Sequence, residues 1–170
     1  GTFIDATATR MPVGNFYTRS LGLGDVDGDG DLDLVLGNTT QQIRLYRNNG
    51  TGTFSDVTTG RMPVGVFTTL ALALGDIDGD GDRDLVVGNY GEPSLLYLNN
   101  GSGTFSNAAA GRMPTGSYTT TSLAEGDVDG DGDFDLVVGN GTFTGQSRLY
   151  LNNGTGAFTE ATATRSSAAP

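Results

Sequence analysis

The side chains with the most chemical potential are aspartates, and they come in three sets of five. Asp25, Asp27, Asp29, Asp31 and Asp33 form the first set. Asp76, Asp78, Asp80, Asp82 and Asp84 form the second, and Asp127, Asp129, Asp131, Asp133 and Asp135 the third. Fifteen of the twenty acidic residues lie there, and Arg83 alone interrupts a set with a positive charge. Carboxylates this dense repel one another, so a folded chain needs a compensating cation at each set. Asp holds loop positions 1, 3, 5 and 9 in all three copies, and Gly30, Gly81 and Gly132 hold position 6, where a sharp turn brings ligands back round an ion. Position 7 (Asp31, Asp82, Asp133) would offer its backbone carbonyl. Hard oxygen ligands on a short loop suit Ca²⁺. Three Ca²⁺ per chain would bring the formal charge from −11 to −5. An EF-hand opens in the same way but needs a bidentate Glu at position 12, which is Leu36, Val87 or Val138 here, and its flanking helices.

Composition removes much other chemistry. The 170 residues contain no His and no Cys, which excludes His-based nucleophile activation, thiolate catalysis, disulfides and zinc sites built on either residue. The acidic balance argues against nucleic acid and anionic membrane surfaces as partners. No apolar run approaches the ~18–20 residues of a membrane span, so membrane insertion is not expected. The chain opens on Gly1 without a signal peptide and looks like a cut-out segment, so targeting is not directly legible.

The aspartate sets recur every 51 residues, and other marks keep the same step. Gly-Thr-Phe opens at 1, 52 and 103; Arg-Met-Pro falls at 10–12, 61–63 and 112–114; Gly-Asn falls at 37–38, 88–89 and 139–140. The last Leu-Tyr pair arrives two residues late, which places an insertion in the 139–148 loop. The periods run over about 1–51, 52–102 and 103–155, with a surplus strand at about 156–165.

No segment has the length and periodicity of an amphipathic helix. Four strand-like runs make up one period's length of chain: 16–24, 32–37, 43–47 and 53–58. The aspartate loop joins the first two, and Asn48-Asn49-Gly50 joins the last two as a hairpin signal, with both Asn49 and Gly50 expected at positive φ. Four short antiparallel strands repeated at this spacing predict an all-β fold of β-propeller blades.

With these residues in hand, the chain resembles the FG-GAP/VCBS repeats of integrin α-subunit propellers and their bacterial relatives. The metal pattern DxDxDGxxD matches DVDGDGDLD, DIDGDGDRD and DVDGDGDFD at every position, and the repeat resemblance covers essentially residues 1–165. It implies a loop between the first two strands of each blade that binds calcium through Asp25, Asp27, Asp29 and Asp33 and their repeat partners. The Phe-Gly and Gly-Ala-Pro marks that name the family are weak, with LGLGD or LALGD in their place. Family propellers have about six or seven blades, whereas this chain carries three. Closed rings use about four to eight blades, so two chains forming six blades are the expected assembly.

The terminal segments Thr2–Thr7 and Ala157–Thr162 both read as fourth strands. The simplest expectation is that the N-terminal strand of one chain completes the third blade of another; the rival is that the C-terminal segment completes its own. Arg10, Arg61 and Arg112 read as bridges between blades, and Phe3, Phe54, Phe105 and Phe158 as blade core. Phe16, Phe67 and Tyr118 align and read as packing. Tyr90 and Phe143, on loops that vary between periods, are the exposed aromatics best suited to binding. All metal ligands come from one short loop with no nucleophile–base pair beside it, so the site reads as structural and the chain as no enzyme. The expected function is a calcium-binding adhesion or recognition module outside the cell or at its surface, where calcium is near millimolar, with a protein or glycan ligand. A carbohydrate-binding lectin and an accessory domain of a larger secreted enzyme are the alternatives.

Overall fold

The computed structural model describes residues 1–141 and 145–162, and Phe143 and the end of the surplus segment lie outside them. Among the described residues, twelve strands form three four-stranded sheets. Blade 1 contains β1 (Thr18–Gly24), β2 (Asp33–Asn38), β3 (Arg44–Asn48) and β4 (Phe54–Asp56). Blade 2 contains β5 (Thr69–Gly75), β6 (Asp84–Asn89), β7 (Leu95–Asn99) and β8 (Phe105–Asn107). Blade 3 contains β9 (Thr120–Gly126), β10 (Asp135–Asn140), β11 (Arg148–Leu151) and β12 (Thr159–Glu160). Every neighbouring pair is antiparallel and every sheet is a meander in chain order. One four-residue helix, α1 (Thr7–Arg10), precedes blade 1.

The second strand of blades 1 and 2 is apolar because both of its faces are covered. In β2 and β6 all six residues are buried. Alternate residues of β6 serve different seams, whereas β2 turns Val35 to the first seam and Leu34 and Leu36 to the leading face. Val26, Val35 and Leu45 of blade 1 meet Leu74, Leu85, Val87 and Tyr97 of blade 2, with Met62 of the connecting segment between them. The second seam repeats this with Ile77, Val86 and Leu96 against Leu136, Val138 and Tyr150, and Met113 in the link. Each fully buried Leu or Val contributes about 1.5–3 kcal/mol. The innermost strands approach closely: a Cβ on Gly22 would lie 3.0 Å from Leu74 Cδ1, so glycine there admits the leucine.

The outer faces of the array lack such cover. Leu21 and Leu23 of β1 are 62% and 60% exposed, and Val128 and Val137 of blade 3 are 52% and 43% exposed. On the leading face a small cluster of Leu34, Leu36 and Tyr46 is roofed by Met11, Phe16 and Phe54.

Three details differ from the sequence reading. The Asn-Gly turns are longer than a two-residue hairpin: Gly50 has φ 79° and Gly52 has φ 75°, and Asn49 is not at positive φ. Asn49 Oδ1 instead accepts from Thr51 N, Thr51 Oγ1 and Thr53 N, so the side chain supplies the turn's hydrogen bonds. Within this chain blade 3 is completed by its own C-terminal segment, with Leu151 opposite Thr159 and Phe158 buried. Phe3, expected in a core, is fully exposed, as is most of Ile4. The short turn at Asn152-Asn153-Gly154 brings the following segment onto β11 at a small loop-closure cost, which the distant N-terminal segment cannot match. Blade and sequence period are therefore offset by one strand, since β4 lies beyond residue 51.

Candidate metal centre

Each aspartate set occupies the loop from the end of a blade's first strand to the start of its second. The register closes it: Gly24 pairs with Asp33, Gly75 with Asp84 and Gly126 with Asp135. The loop coils because its glycines reach positive φ, with Gly30, Gly81 and Gly132 at 88°, 92° and 97°. The first aspartate organises the coil. Asp25 accepts from Gly28 N at 2.8 Å and Gly30 N at 2.9 Å, and Asp76 and Asp127 repeat the pair.

The ninth aspartate is a buried staple. Asp33 accepts from Val26 N and Asn48 N, Asp84 from Ile77 N and Asn99 N, and Asp135 from Val128 N and Asn152 N. It thereby ties the loop to the end of the blade's third strand. All three are fully buried. Burial pushes Asp33 above the usual carboxylate range, and Asp84 up to about 6, against the lowering effect of the donated N–H groups. The seventh aspartate turns the other way. A Cβ on Gly50 would lie 2.7 Å from Asp31 Oδ2, and Asp82 and Asp133 stand as close to Gly101 and Gly154. Its side chain faces the Asn-Asn-Gly turn.

Three carboxylates converge in each blade with oxygens within 4.8 Å of one another: Asp25, Asp27 and Asp29; Asp76, Asp78 and Asp84; Asp127, Asp129 and Asp135. Like charges at this spacing are costly without a cation. In blade 2 burial raises Asp78, with the charge of Asp80 adding to it. Asp27 Oδ1 and Asp78 Oδ1 are buried with no hydrogen-bond donor. Orphaned acceptors of this kind, in an all-oxygen donor set, fit a hard divalent ion.

The following blade supplies the outer wall. Asn99 Nδ2 donates to Val26 O at 2.7 Å and to Arg83 O at 3.1 Å. Asn152 Nδ2 makes the same pair with Ile77 O and Phe134 O. Arg10, Arg61 and Arg112 donate to the carbonyls of Thr51, Ser102 and Thr155, which makes them clamps on the Asn-Asn-Gly turns. Arg112 also lowers Asp78 through its charge. The sequence places Asn99 and Asn152 only in turns, and nothing in one period shows that they reach into the preceding one.

A second concave feature lies on blade 3. A cavity of about 360 Å³ is lined by Ser117, Tyr118, Asn140, Gln146 and Arg148 among others. The Arg148 guanidinium stacks on the Tyr118 ring at 3.9 Å and pairs with Glu160. Arg44 covers Phe16 in blade 1 in the same way. Tyr90 is exposed, as expected.

Three meandering sheets packed face to face, each with an aspartate loop at the same corner, define β-propeller blades. The chain belongs to the FG-GAP-like repeat family, which matches residues 25–87, 76–138 and 127–170. Cartilage acidic protein 1 of Xenopus tropicalis is 29% identical over 139 residues, covering 78% of this chain and 21% of that protein. Human integrin alpha-IIb is 30% identical over 154 residues, covering 75% and 15%. A solved structure of an Agrocybe aegerita lectin that recognises non-reducing terminal N-acetylglucosamine superposes with a TM-score of 0.47 at 27% identity, over 81% of this chain and 36% of that one. The chain thus spans less than a quarter of the length of these curated relatives.

Proposed function

We propose that this chain is a calcium-stabilised, non-enzymatic recognition segment of a propeller working outside the cell or at its surface. The carrying observation is the threefold convergence of carboxylates at one corner of every blade, with buried acceptors that lack donors in blades 1 and 2. Asp25, Asp27, Asp29 and Asp33 and their repeat partners would hold one Ca²⁺ per loop, with Asp31, Asp82 and Asp133 contributing backbone carbonyls. The ion's role is to replace repulsion by ion–oxygen bonds and to fix the corner at which consecutive blades meet. Calcium titration by calorimetry should saturate near three ions per chain, and chelator should lower the melting temperature. Zero sites, or a melting temperature indifferent to chelator, would sink the reading.

The repeats at about 1–51, 52–102 and 103–155, with the surplus strand at 156–165, form one array under this proposal. Two such arrays, head to tail, make a six-bladed ring. Leu21 and Leu23 on the leading face and Val128 and Val137 on the trailing face support it, since a neighbouring blade covers their counterparts at the internal seams. Light scattering at micromolar concentration with calcium should give a dimer, and a clean monomer rejects the ring. Cover by further blades of a longer polypeptide is the competing outcome.

The Tyr118–Arg148 cavity favours a second reading, a glycan or acidic ligand held by an aromatic platform and a fixed guanidinium. A glycan array probed with and without chelator separates a lectin from a protein-binding module.

A further inference from the structure

The three loops are alike in sequence but not in their charge balance. The residue before the Asn-Asn-Gly turn is Arg47 in blade 1, Leu98 in blade 2 and Leu151 in blade 3. Arg47 folds back over its own aspartate loop. Its Nε pairs with Asp27, and one terminal nitrogen lies 3.2 Å from Asp29 Oδ2. The Asp27 side chain is only 4% exposed, so this guanidinium neutralises a carboxylate that water hardly reaches. Two of the three converging carboxylates in blade 1 are therefore already paired with a cation carried by the chain. Composition of the cluster differs as well. Blades 2 and 3 bring in the ninth aspartate, Asp84 or Asp135, whereas blade 1 uses Asp29 in its place. Arg83, the basic residue within the second set, donates to Leu74 O.

We propose that Arg47 is a resident cation that makes the first loop a weaker calcium site than the second. The inference rests on the calcium reading above. A divalent ion entering the first loop must displace the guanidinium, and a charge-assisted pair to a carboxylate is among the stronger polar contacts a protein makes. The Arg47 side chain is 40% exposed, so it has solvent to swing into once displaced. The second loop faces no such competitor from Leu98, and the Arg112 charge near Asp78 has its counterpart in Arg61 beside Asp27. Both loops are walled by a following blade, through Asn99 and Asn152 respectively, so the guanidinium is the main difference between them. Blade 1 would then keep its charge balanced at calcium levels too low to fill its loop. The array would respond to calcium in stages.

The test is calcium titration of the full chain, followed by the backbone amide signals of Gly30 and Gly81, which report the two loops separately. The expected dissociation constant of the first loop is about ten- to a hundredfold above that of the second, the effect of one charge-assisted pair. Arg47→Leu, the residue type of the other two blades, should bring the two loops within about threefold. Arg47→Gln, which removes charge and keeps polarity, should do most of the same. Circular dichroism checks that both variants fold. Equal affinity of the two loops in the unaltered protein overturns the inference, as does a first loop that both variants leave unchanged. Binding in neither loop of any variant overturns the calcium reading and the inference with it.

Discussion

The loops at Asp76–Asp84 and Asp127–Asp135 carry the same carboxylates at the same spacing, yet they live in different surroundings. In the second loop Ile77 is 1% exposed and Asp78 is half-buried, because Asn152 of blade 3 grips Ile77 O and Gly156 lies against Asp78. In the third loop the equivalent Val128 is 52% exposed, and Asp127 and Asp129 are exposed. The contrast teaches that a blade's aspartate corner is finished by its successor. A loop of nine residues sets the order of the carboxylates, but the dielectric around them belongs to the seam.

Substituting the ninth aspartate should break this comparison most severely. Asp84→Ala strands the N–H groups of Ile77 and Asn99 in a buried seam and should cost about 3 kcal/mol or more in urea denaturation. Asp135→Ala should cost less, since one of its two donors belongs to an exposed residue. Equal costs would show that the seam contributes nothing to the loop.

The turn asparagines sharpen the comparison at a smaller scale. Asn152→Ala removes two donated bonds, one of them across the seam, and should cost about 2 kcal/mol. Asn48→Ala removes a donated bond only within its own blade, to Leu32 O, and should cost about 1 kcal/mol. Asn152→Ala should also weaken calcium binding by the second loop while leaving the first unchanged, which the Gly81 and Gly30 amides would report.

The smallest effect expected is on pH dependence without calcium. Burial raises Asp84 to about 6, above its unfolded value, so the folded state holds a proton that the unfolded state releases. Stability in chelator should therefore fall as pH rises from about 4 to 6, and acidification from pH 7 to 5 should raise the melting temperature. Saturating calcium should oppose this trend, because protons then compete with the ion. A calcium-free melting temperature that drops over the same acidification would contradict the buried placement of Asp84.

Much of the architecture is legible in the sequence because its signals are local and repeated. The 51-residue step, four strand-like runs per step and the Asp-Gly loops between the first two runs each report a short stretch of backbone. The strands lie where those runs lie, to within two or three residues at their ends. The turn type differs from the two-residue expectation, because the Asn49 side chain rather than a positive φ at Asn49 carries the turn. Phe3 differs from its expected core placement for another reason. It shares the Gly-Thr-Phe mark with Phe54 and Phe105, but burial depends on a neighbouring strand to pack against, and none of the described residues provides one there.

Sequence by itself determined the all-β repeat, the identity of the fifteen aspartates and the position of the glycines that let their loops coil. These follow from spacing and backbone freedom within a few residues. Tertiary structure decided which carboxylates converge, that the ninth aspartate staples the loop to the third strand, that Asn99 and Asn152 reach into the preceding blade, and that Arg47 lies on Asp27 while Leu98 has no such partner. Those contacts join residues up to 75 positions apart. They exist only once blades stack, because stacking brings the side chains within hydrogen-bond range and excludes the water that would otherwise satisfy them.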